Sequence, residues 1–412
     1  MTDRRVHPWL FLVLVLPFGV MSGYAAVTLA YQLKMAGVTV AAIAALVALS
    51  ILPQTWKFLW APIVDITLNQ KKWYVISCIL SAVGIGVTGF FPATKAVLAA
   101  LSTVVFVGSV ATTFLAMSIE SMIAHCTPDE LRGRVSGWYQ AGNLGGYGIG
   151  GGLALFLAQH FNSPQLASTI TGALCLLCCL ALLGVPTPTR LPHQGSVWRD
   201  VWVTVKDVWQ VMRRRTGILA FILCFLPIGS GAAPFASIAP EWSASADTVA
   251  LVSGVMGGVI SALGCLCGGW ICDRMHRQWA YVWFGLCQAA AGISMALFPR
   301  SHEMFIFWTL IYTFTSGLAY AAFSAFVLEA IGKGAAATKY NALASLSNVP
   351  IWYMTSLDGW THDRWNSTRM FFIEAGLAIS AAIVFSILVK FLWPAREPSS
   401  ANVQPAGAPL AD

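Results

Sequence analysis

Long apolar segments alternate with short polar connections from one end of the chain to the other. Each apolar segment approaches or exceeds the roughly 20 residues that an α-helix needs to cross a bilayer. Glycines in the fifth segment predict close helix packing, and Pro53 predicts a bend in the second. The pattern predicts twelve membrane spans, at 8–33, 38–64, 73–92, 96–124, 137–160, 166–185, 217–240, 247–271, 279–298, 304–331, 340–361 and 368–393.

The predicted spans divide into two groups of six. Residues 1–185 and 217–393 form an N-terminal and a C-terminal six-helix bundle, and 186–216 form the linker between them. Prolines at the start of the linker cannot continue the sixth helix, because proline lacks the amide hydrogen. Farther along the linker, apolar side chains share one helical face beside basic residues, which predicts an amphipathic helix at the membrane surface. The polar tail, 394–412, is predicted to be disordered.

Two connections of the chain repeat the same local chemistry. The first runs from Ala61 to Asp65 and is followed by Lys71 and Lys72; the second contains Gly269, Trp270, Ile271, Cys272, Asp273, Arg274 and Arg277. The two aspartates lie 208 positions apart, and in both copies a small residue stands four positions earlier. Matching sequence features that recur at one fixed separation in an apolar chain are typical of transporters built from two structural repeats.

Composition agrees with a membrane protein and excludes several other classes. Hydrophobic residues make up 57% of the chain and charged residues 10%, whereas about 25% is usual for charged residues in soluble domains. Most of the ten cysteines lie within predicted spans, where cysteine packs as a small apolar residue, so no disulfide framework is expected. The sequence has no ATPase motif, catalytic triad or metal-ligand spacing, so we predict no enzyme activity, no cofactor and no bound metal.

Basic residues are distributed unevenly between the two sides of the predicted bundle. Most of the 24 Lys and Arg residues lie in the termini and the even-numbered connections. Positively charged loops stay in the cytoplasm, so both termini are predicted to be cytoplasmic. The net charge of +7 then reflects loop topology, and no nucleic-acid partner is expected.

The duplicated turns within two six-helix halves resemble those of the major facilitator superfamily. The resemblance implies an all-α membrane fold with twelve transmembrane helices in two pseudo-symmetric bundles. It also implies that these turns dock the two halves on the cytoplasmic side. The residues expected to form this conformational gate are Asp65, Lys71, Lys72, Arg132, Arg134, Gly269, Asp273, Arg274 and Arg277.

Further motifs resemble the AmpG-like family of muropeptide permeases, acetyl-CoA transporters and siderophore permeases. The most specific is Lys57-Phe-Leu-Trp-Ala-Pro-Ile-Val-Asp65, and the stretches 337–343 and 345–350 are also similar to that family. Two features differ from many members, because Ala116 and Glu120 stand where two aspartates are common and no segment remains for two additional spans. Siderophore permeases therefore remain an alternative to muropeptide permeases.

A few ionisable residues lie within the predicted spans, where charge is costly and most often functional. At about 1.5 Å of rise per residue, Lys57 and Glu120 lie at similar depths, which predicts an ion pair. Protonation of Glu120 would break this pair and couple transport to protons, or the pair is a permanent structural contact. Glu329 is the repeat-mate of Glu120 and is interpreted as a gate contact. Asp358 and Glu374 either bind a proton or cation or extend to the outer interface. The predicted proton-coupling residues are Lys57, Glu120, Glu329 and Asp358.

Polar and aromatic residues near the middle of the spans are the candidates for solute contact. The resemblance implies a cavity lined chiefly by helices 1, 4, 7 and 10. Tyrosine rings that also carry hydroxyl groups suit an amphiphilic or sugar-bearing solute. The predicted solute-binding residues are Tyr24, Tyr31, Gln54, Gln140, Asn143, Tyr147, Tyr312, Tyr320, Asn348 and Tyr353.

Taken together, these patterns indicate a secondary active transporter in the bacterial inner membrane. We expect it to import an organic solute, a muropeptide-like amphiphile or a sugar-peptide, by proton symport with alternating access. Its predicted partners are this solute, protons and the lipid bilayer, and we expect a monomer. The alternatives are a siderophore importer, a proton-driven exporter, and a non-transporting membrane sensor or scaffold.

Overall fold

A computed structural model describes residues 6–60, 63–64, 67–92, 94–128, 131–186, 199, 202, 205–206, 209–210, 213–331 and 336–392, with the backbone alone at 132–133, 331 and 336–339. The regular elements within these residues are all helical. We number the helices that cover the predicted spans α1 to α12. Their bounds are Trp9–Met35, Val40–Trp60, Gln70–Thr88, Lys95–Cys126, 132–160, Pro164–Gly184, Arg215–Leu223 with Phe235–Ile238, Ala246–Cys272, Arg277–Leu297, His302–Ile331, Ala336–Leu346 with Asn348–Arg364, and Ser367–Leu392.

Eight of these helices are long and apolar enough to cross a membrane by length and composition: α1, α2, α4, α6, α8, α9, α10 and α12. The other four occupy the places that the sequence predicts but contain polar residues or irregular backbone. Two of them, α7 and α11, are interrupted. Interrupted helices occur at membrane depth where protein surrounds the freed backbone groups. The predicted all-helical, multi-pass membrane architecture is confirmed.

Successive helices run in opposite directions, so the connections alternate between two ends of the molecule. We call the end at which α1 begins the basic end and the opposite end the distal end. The largest apolar core combines side chains of α1 to α6 with distal residues of the last six helices, including Trp242, Phe305 and Phe371. A second core lies among α7, α9, α10 and α12 and includes Phe326 and Phe385. Apolar packing therefore joins the two halves mainly at the distal end.

Three helices contain a π-helical stretch near the middle of their length. These stretches are Tyr24–Leu29 in α1, Ile149–Leu153 in α5 and Ala250–Met256 in α8. The wider turn leaves backbone carbonyls available, and the Thr28 hydroxyl donates to the carbonyl of Gly150 at 2.8 Å. The π stretches of α5 and α8 pack against each other through glycines. π-Helical turns are frequent at functional sites, and here they lie where the two halves meet.

The interruption of α7 gives the chain an irregular path inside the bundle. Pro227 and Pro234 flank this stretch, and Gly229 and Gly231 adopt positive φ angles of 66° and 65°. Only glycine adopts this backbone conformation without steric cost. A Cβ atom at Gly231 would also lie 2.6 Å from the hydroxyl oxygen of Ser316 in α10. The glycines thus allow the backbone of α7 to approach α10 closely.

The glycine contact between α5 and α8 predicts a difference between two Gly→Ala substitutions. A Cβ atom at Gly152 would lie 2.5 Å from Val255 Cγ2 and 2.8 Å from the carbonyl of Ala250. A Cβ atom at Gly86 in α3 would have no atom of a packed neighbour within 4 Å. We expect Gly152→Ala to destabilise the protein by about 1–3 kcal/mol through overpacking. Gly86→Ala should leave stability unchanged or raise it. Thermal melting of the two purified variants tests this, and equal melting temperatures would contradict it.

Candidate functional site

A cavity of about 380 Å³ lies between the two halves. Side chains of α1, α2 and α5 face the interrupted stretch of α7 and side chains of α8, α10 and α11 across it. Its lining carries many hydroxyl groups and apolar surfaces, and no Asp, Glu, Lys, Arg or His belongs to the described lining. The hydroxyl-bearing residues include Ser22, Ser50, Tyr147, Ser261, Tyr312 and Ser316. Such a site suits an uncharged polar solute, because its hydroxyls both donate and accept hydrogen bonds.

Two of the residues predicted to contact solute line this cavity, and a third bonds to a lining residue. Tyr147 and Tyr312 line it from opposite halves. The Gln54 amide donates to the hydroxyl of Ser22, a lining residue, at 3.4 Å. Contact of these three residues with solute stays a prediction.

Four other predicted residues are not among the lining residues. Tyr24 and Tyr31 are buried, and the Thr88 hydroxyl donates to Tyr24 Oη at 2.9 Å. Asn348 donates to carbonyls of the preceding helical turn. The Tyr353 hydroxyl donates to a backbone carbonyl of the α7 interruption at 2.9 Å. Tyr24, Asn348 and Tyr353 thus form hydrogen bonds within their own halves.

The remaining three predicted residues form a polar bridge between the halves. The Gln140 amide in α5 donates to Tyr320 Oη in α10 at 2.9 Å. Asn143 Nδ2 donates to Gln140 Oε1 at 3.5 Å. The bridge lies on the basic side of the cavity, because Gln140 precedes the lining residues of α5 and Tyr320 follows those of α10.

A cluster around Glu120 joins four helices nearer the basic end. Lys57 Nζ lies 3.1 Å from Glu120 Oε1, so the predicted ion pair is present. Tyr139 Oη donates to the same carboxylate oxygen at 3.3 Å. Asn341 Nδ2 of α11 donates to Glu120 Oε2 at 2.9 Å. We call Lys57, Glu120, Tyr139 and Asn341 the Glu120 cluster; it connects α2, α4 and α5 with α11 of the other half.

At the distal end, α11 caps a helix of the opposite half. Asp363 Oδ1 and Oδ2 accept hydrogen bonds from the backbone amides of Val40 and Ala41, at 3.1 Å and 2.9 Å. These amides begin α2 and have no acceptor within the helix, so a carboxylate stabilises them. This contact therefore holds the halves together on the distal side of the cavity.

Neighbouring charges support Asp363 in what we call the distal cluster. His362 Nδ1 lies 3.2 Å from Asp363 Oδ1 and Nε2 lies 2.5 Å from Glu241 Oε1. Arg300 Nη1 donates to Glu241 Oε2 at 2.8 Å, and Ser367 Oγ donates to the same oxygen. Partial burial alone would raise the pKa of Glu241, but the bonds from His362 and Ser367 and the nearby positive charges hold it below the ordinary value. Glu241 thus stays ionised and contributes stability at neutral pH, a contribution lost only in strong acid.

The predicted gate residues form contacts within their own halves where the structure describes them. Lys71 Nζ donates to the Leu182 carbonyl at 2.9 Å. Arg277 Nη1 lies 3.5 Å from Glu329 Oε2 of α10, and Arg274 stacks on the Trp270 ring at 3.8 Å.

The other gate positions add no described contact between the halves. Lys72, Arg134 and Asp273 have exposed side chains, and Gly269 has open space around its Cα. Asp65 and the side chain of Arg132 lie outside the described residues. The described bonds between the halves near the basic end come instead from the Glu120 cluster and the Gln140–Tyr320 bridge.

Asp358 and Glu374 lie inside the second half. Asp358 is fully buried and Glu374 is 7% exposed, so the alternative that they extend to the outer interface is wrong. Tyr312 Oη donates to Glu374 Oε1.

Several residues of the site give no functional signal in the sequence. The serines and threonines of the cavity give no signal, because hydroxyl residues are common in apolar helices. Asp363 and His362 lie at a helix end with no metal-ligand spacing, and within the described residues no cluster of three or more His, Cys, Asp or Glu could hold a metal. Asp363 acts as a cap only because the start of α2 lies opposite it in the fold.

Comparisons with known proteins agree on one family. The sequence profile of the Major Facilitator Superfamily matches residues 9–354. The anhydromuropeptide permease of Escherichia coli (strain K12) is 24% identical over 338 residues, which cover 78% of this chain and 68% of that protein. The permease of Escherichia coli O157:H7 matches with the same figures.

Solved structures share the fold at low sequence identity. A point mutant of the nucleoside transporter NupG has a TM-score of 0.71 at 14% identity and covers 92% of this chain and 98% of its own. A D-xylose-proton symporter has the same TM-score and identity, with 92% and 96% covered. A bacterial homolog of the human lysosomal transporter Spinster, inward-facing and unoccupied, has a TM-score of 0.66 at 13% identity, with 95% and 97% covered.

The Glu120 cluster predicts an energetic coupling between Lys57 and Glu120. Glu120→Gln leaves the largely buried ammonium without its counter-ion, and Lys57→Met leaves the carboxylate unpaired, so each should lower stability. We expect the double variant to lose less stability than the two single variants lose together, by about 1–3 kcal/mol. Stabilities of the four proteins in detergent give this value. Lys72→Met, at an exposed lysine, should instead add to Glu120→Gln without coupling, and additivity at Lys57 as well would contradict the prediction.

The helix cap across the halves predicts that Asp363→Ala opens the distal end. Asn366→Ala is the matched control, because Asn366 also caps a helix, through Arg369 N at 2.9 Å, but within its own half. Each change should cost about 1 kcal/mol of stability. Only Asp363→Ala should speed labelling of a cysteine placed at Ser50, a cavity residue, by a membrane-impermeant maleimide in right-side-out vesicles. Equal labelling rates in both variants would contradict a closing role for Asp363.

Proposed function

Because the chain belongs to the Major Facilitator Superfamily, we propose that it imports an organic solute across the bacterial inner membrane by proton symport. The chain is a multi-pass membrane transporter and not an enzyme, as its family and its structural neighbours show. The predicted twelve-helix fold and the resemblance to muropeptide permeases are confirmed. Import, proton coupling and the membrane of residence are parts of the proposal.

The main support for the proposal is that polar contacts join the two halves on both sides of the cavity. The Glu120 cluster and the Gln140–Tyr320 bridge lie between it and the basic end, and the cap by Asp363 lies at the distal end. A solute site between two halves that separate alternately at either end is the geometry of alternating access. A sensor or scaffold has no need of such a cavity.

The cavity favours an uncharged solute that carries hydroxyl or amide groups. Its volume of about 380 Å³ lies within the roughly 300–1,000 Å³ usual for small-molecule sites. Hydroxyls on apolar walls can bond the polar edge of a sugar while Tyr147 and Tyr312 contact its face. We propose that the glycan part of a muropeptide-like solute binds here. An anionic siderophore is disfavoured, because the described lining offers no cationic side chain.

The proposed orientation places the basic end in the cytoplasm, following the distribution of Lys and Arg. The Glu120 cluster would then form an inner contact between the halves, and the distal cluster would face the periplasm. In the Glu120 cluster both carboxylate oxygens have donors, which favours the structural interpretation of its ion pair. We propose that this pair closes the inner end and that other groups bind the coupling proton.

Uptake into proteoliposomes tests the function directly. Purified protein is reconstituted with an imposed pH gradient, acid outside, and offered radiolabelled anhydromuropeptide, uridine or D-xylose, the solute classes named for its relatives and neighbours. We expect accumulation of the anhydromuropeptide that stops when a protonophore dissipates the gradient. Accumulation only with the interior acid would indicate an exporter. Failure to accumulate or exchange any of the three solutes would contradict the proposal.

Ser316 predicts how one cavity hydroxyl contributes to solute binding. Its side chain lines the cavity without a hydrogen-bond partner among the described residues, whereas nearby Thr313 donates to the Thr309 carbonyl at 2.7 Å. Ser316→Ala should therefore raise KM about fivefold, equivalent to the ~1 kcal/mol of one hydrogen bond, with little change in melting temperature. Thr313→Val should change KM less than twofold. Uptake kinetics decide the matter, and an unchanged KM for Ser316→Ala would exclude Ser316 from the site.

A further inference from the structure

Resting on the proposed transport function, we infer that Asp358 of α11 and Glu374 of α12 form a proton-binding pair that Tyr312 links to the solute cavity. Both carboxyls are buried, and the helices that carry them pack against each other. They belong to different helices of the second half and lie away from the Glu120 cluster.

Three of the four carboxylate oxygens of the pair lack a hydrogen-bond partner among the described residues. Neither carboxylate oxygen of Asp358 has a hydrogen-bond partner among the described residues, and Glu374 Oε2 has none either. The single described bond to the pair is the one that Tyr312 Oη donates to Glu374 Oε1. An unpaired ionised carboxylate costs several kcal/mol in such surroundings, and two adjacent ones repel each other. A bound proton removes both costs.

No charged group forms a described ion pair with Asp358 or Glu374. Arg300 donates to Glu241, Ser367 and Thr368 at the distal surface, and His362, one turn beyond Asp358, contacts Glu241. On α2, which packs against α11, the stretch Val40–Ile51 has no ionisable side chain. The other described ionisable side chains of α9 to α12 are Arg277, Tyr281, Cys287, His302, Glu303, Tyr312, Tyr320, Glu329, Tyr340, Tyr353, Asp363, Arg364, Arg369 and Lys390. No described ion pair joins any of them to Asp358 or Glu374.

A small void lies beside Glu374 and shares two lining residues with the solute cavity. It has a volume of about 10 Å³, roughly the space for one water molecule. Glu374, Tyr312 and Ser230 line it together with Gln288, whose Nε2 lacks a described partner. Tyr312 and Ser230 also line the solute cavity. A proton therefore has a short polar path between the cavity and Glu374.

Tyr312 provides the link between solute and proton. A solute that takes the Tyr312 hydrogen bond removes the donor from Glu374, so the carboxyl then needs a proton in its place. Solute binding thus favours proton binding, and the reverse holds equally, which is the thermodynamic requirement of symport. The proton enters from one side and leaves to the other with no covalent change in the protein. Beside Asp358, Gly359 packs on Ala44 of α2, so the charge state of the pair acts close to the contact between the halves.

Carbodiimide labelling tests the pair without any solute. Dicyclohexylcarbodiimide adds to protonated carboxyls in apolar surroundings and leaves a stable N-acylurea that mass spectrometry locates. We expect the adduct on Asp358 or Glu374 in the purified full chain at pH 7, and none on exposed Glu303. Asp358→Asn and Glu374→Gln should melt no lower than wild type, because the amides remove a buried acid. Absence of an adduct on both acids would overturn the inference.

Transport measurements test the coupling itself, with whichever of anhydromuropeptide, uridine and D-xylose the wild type accumulates. We expect Asp358→Asn and Glu374→Gln to lose accumulation driven by the pH gradient at least tenfold while keeping solute-for-solute exchange within threefold. Glu303→Gln, the exposed control, should keep both. Tyr312→Phe should lower the number of protons moved per solute, measured with pyranine trapped inside the liposomes.

The outcomes separate this inference from the proposed function. If the wild type transports none of the three solutes, the proposed function fails, while the carbodiimide result still decides whether the pair holds a proton. If transport occurs and both amide variants keep full proton-driven accumulation, the pair is not the coupling site and the proposed function stands.

Discussion

An ionised side chain inside an apolar helix bundle needs a partner, because leaving it unpaired costs several kcal/mol. In this protein that cost decides which contacts join the helices. Lys57 of α2 and Glu120 of α4 form an ion pair. Asn341 of the opposite half donates a hydrogen bond to the second carboxylate oxygen of Glu120. Asp363 satisfies the free amides of α2 in the same way at the distal end. The few charges therefore mark where the two halves touch.

Concentrating charge at the ends leaves the middle of the molecule neutral. The cavity offers hydroxyl groups, two tyrosines and glycine-lined backbone, with no charged side chain in its described lining. A neutral site binds and releases solute without breaking an ion pair. The free energy of the conformational change that opens either end therefore depends on the contacts at the two ends. Glycine contacts between α5 and α8 bring the two backbones close at mid-depth, where α1, α5 and α8 all carry π-helical turns.

Sequence predicts the features that depend on one helix at a time. Hydropathy places the twelve helices, and the rise per residue places Lys57 and Glu120 at matching depth, where they pair. It does not predict which way a side chain faces, so Tyr24 is buried in its own half while Tyr147 lines the cavity. The sequence identifies Asp358 and Glu374 as intramembrane acids, but their burial together follows from the packing of α11 on α12 and α10. The α7 interruption, whose glycines are placed by the approach of α10, is equally a product of packing.

The hydrogen-bond partners of the acids also explain why the two carboxyl sites should play different roles. Glu120 has a donor for each oxygen, including the Lys57 ammonium, so adding a proton to it would break bonds already made. Asp358 has no described donor, so a proton there removes a charge and breaks nothing. A group that gains and loses a proton in every cycle must bind it without dismantling the fold. That requirement favours Asp358 and Glu374 for coupling and Glu120 for closing the end of the cavity.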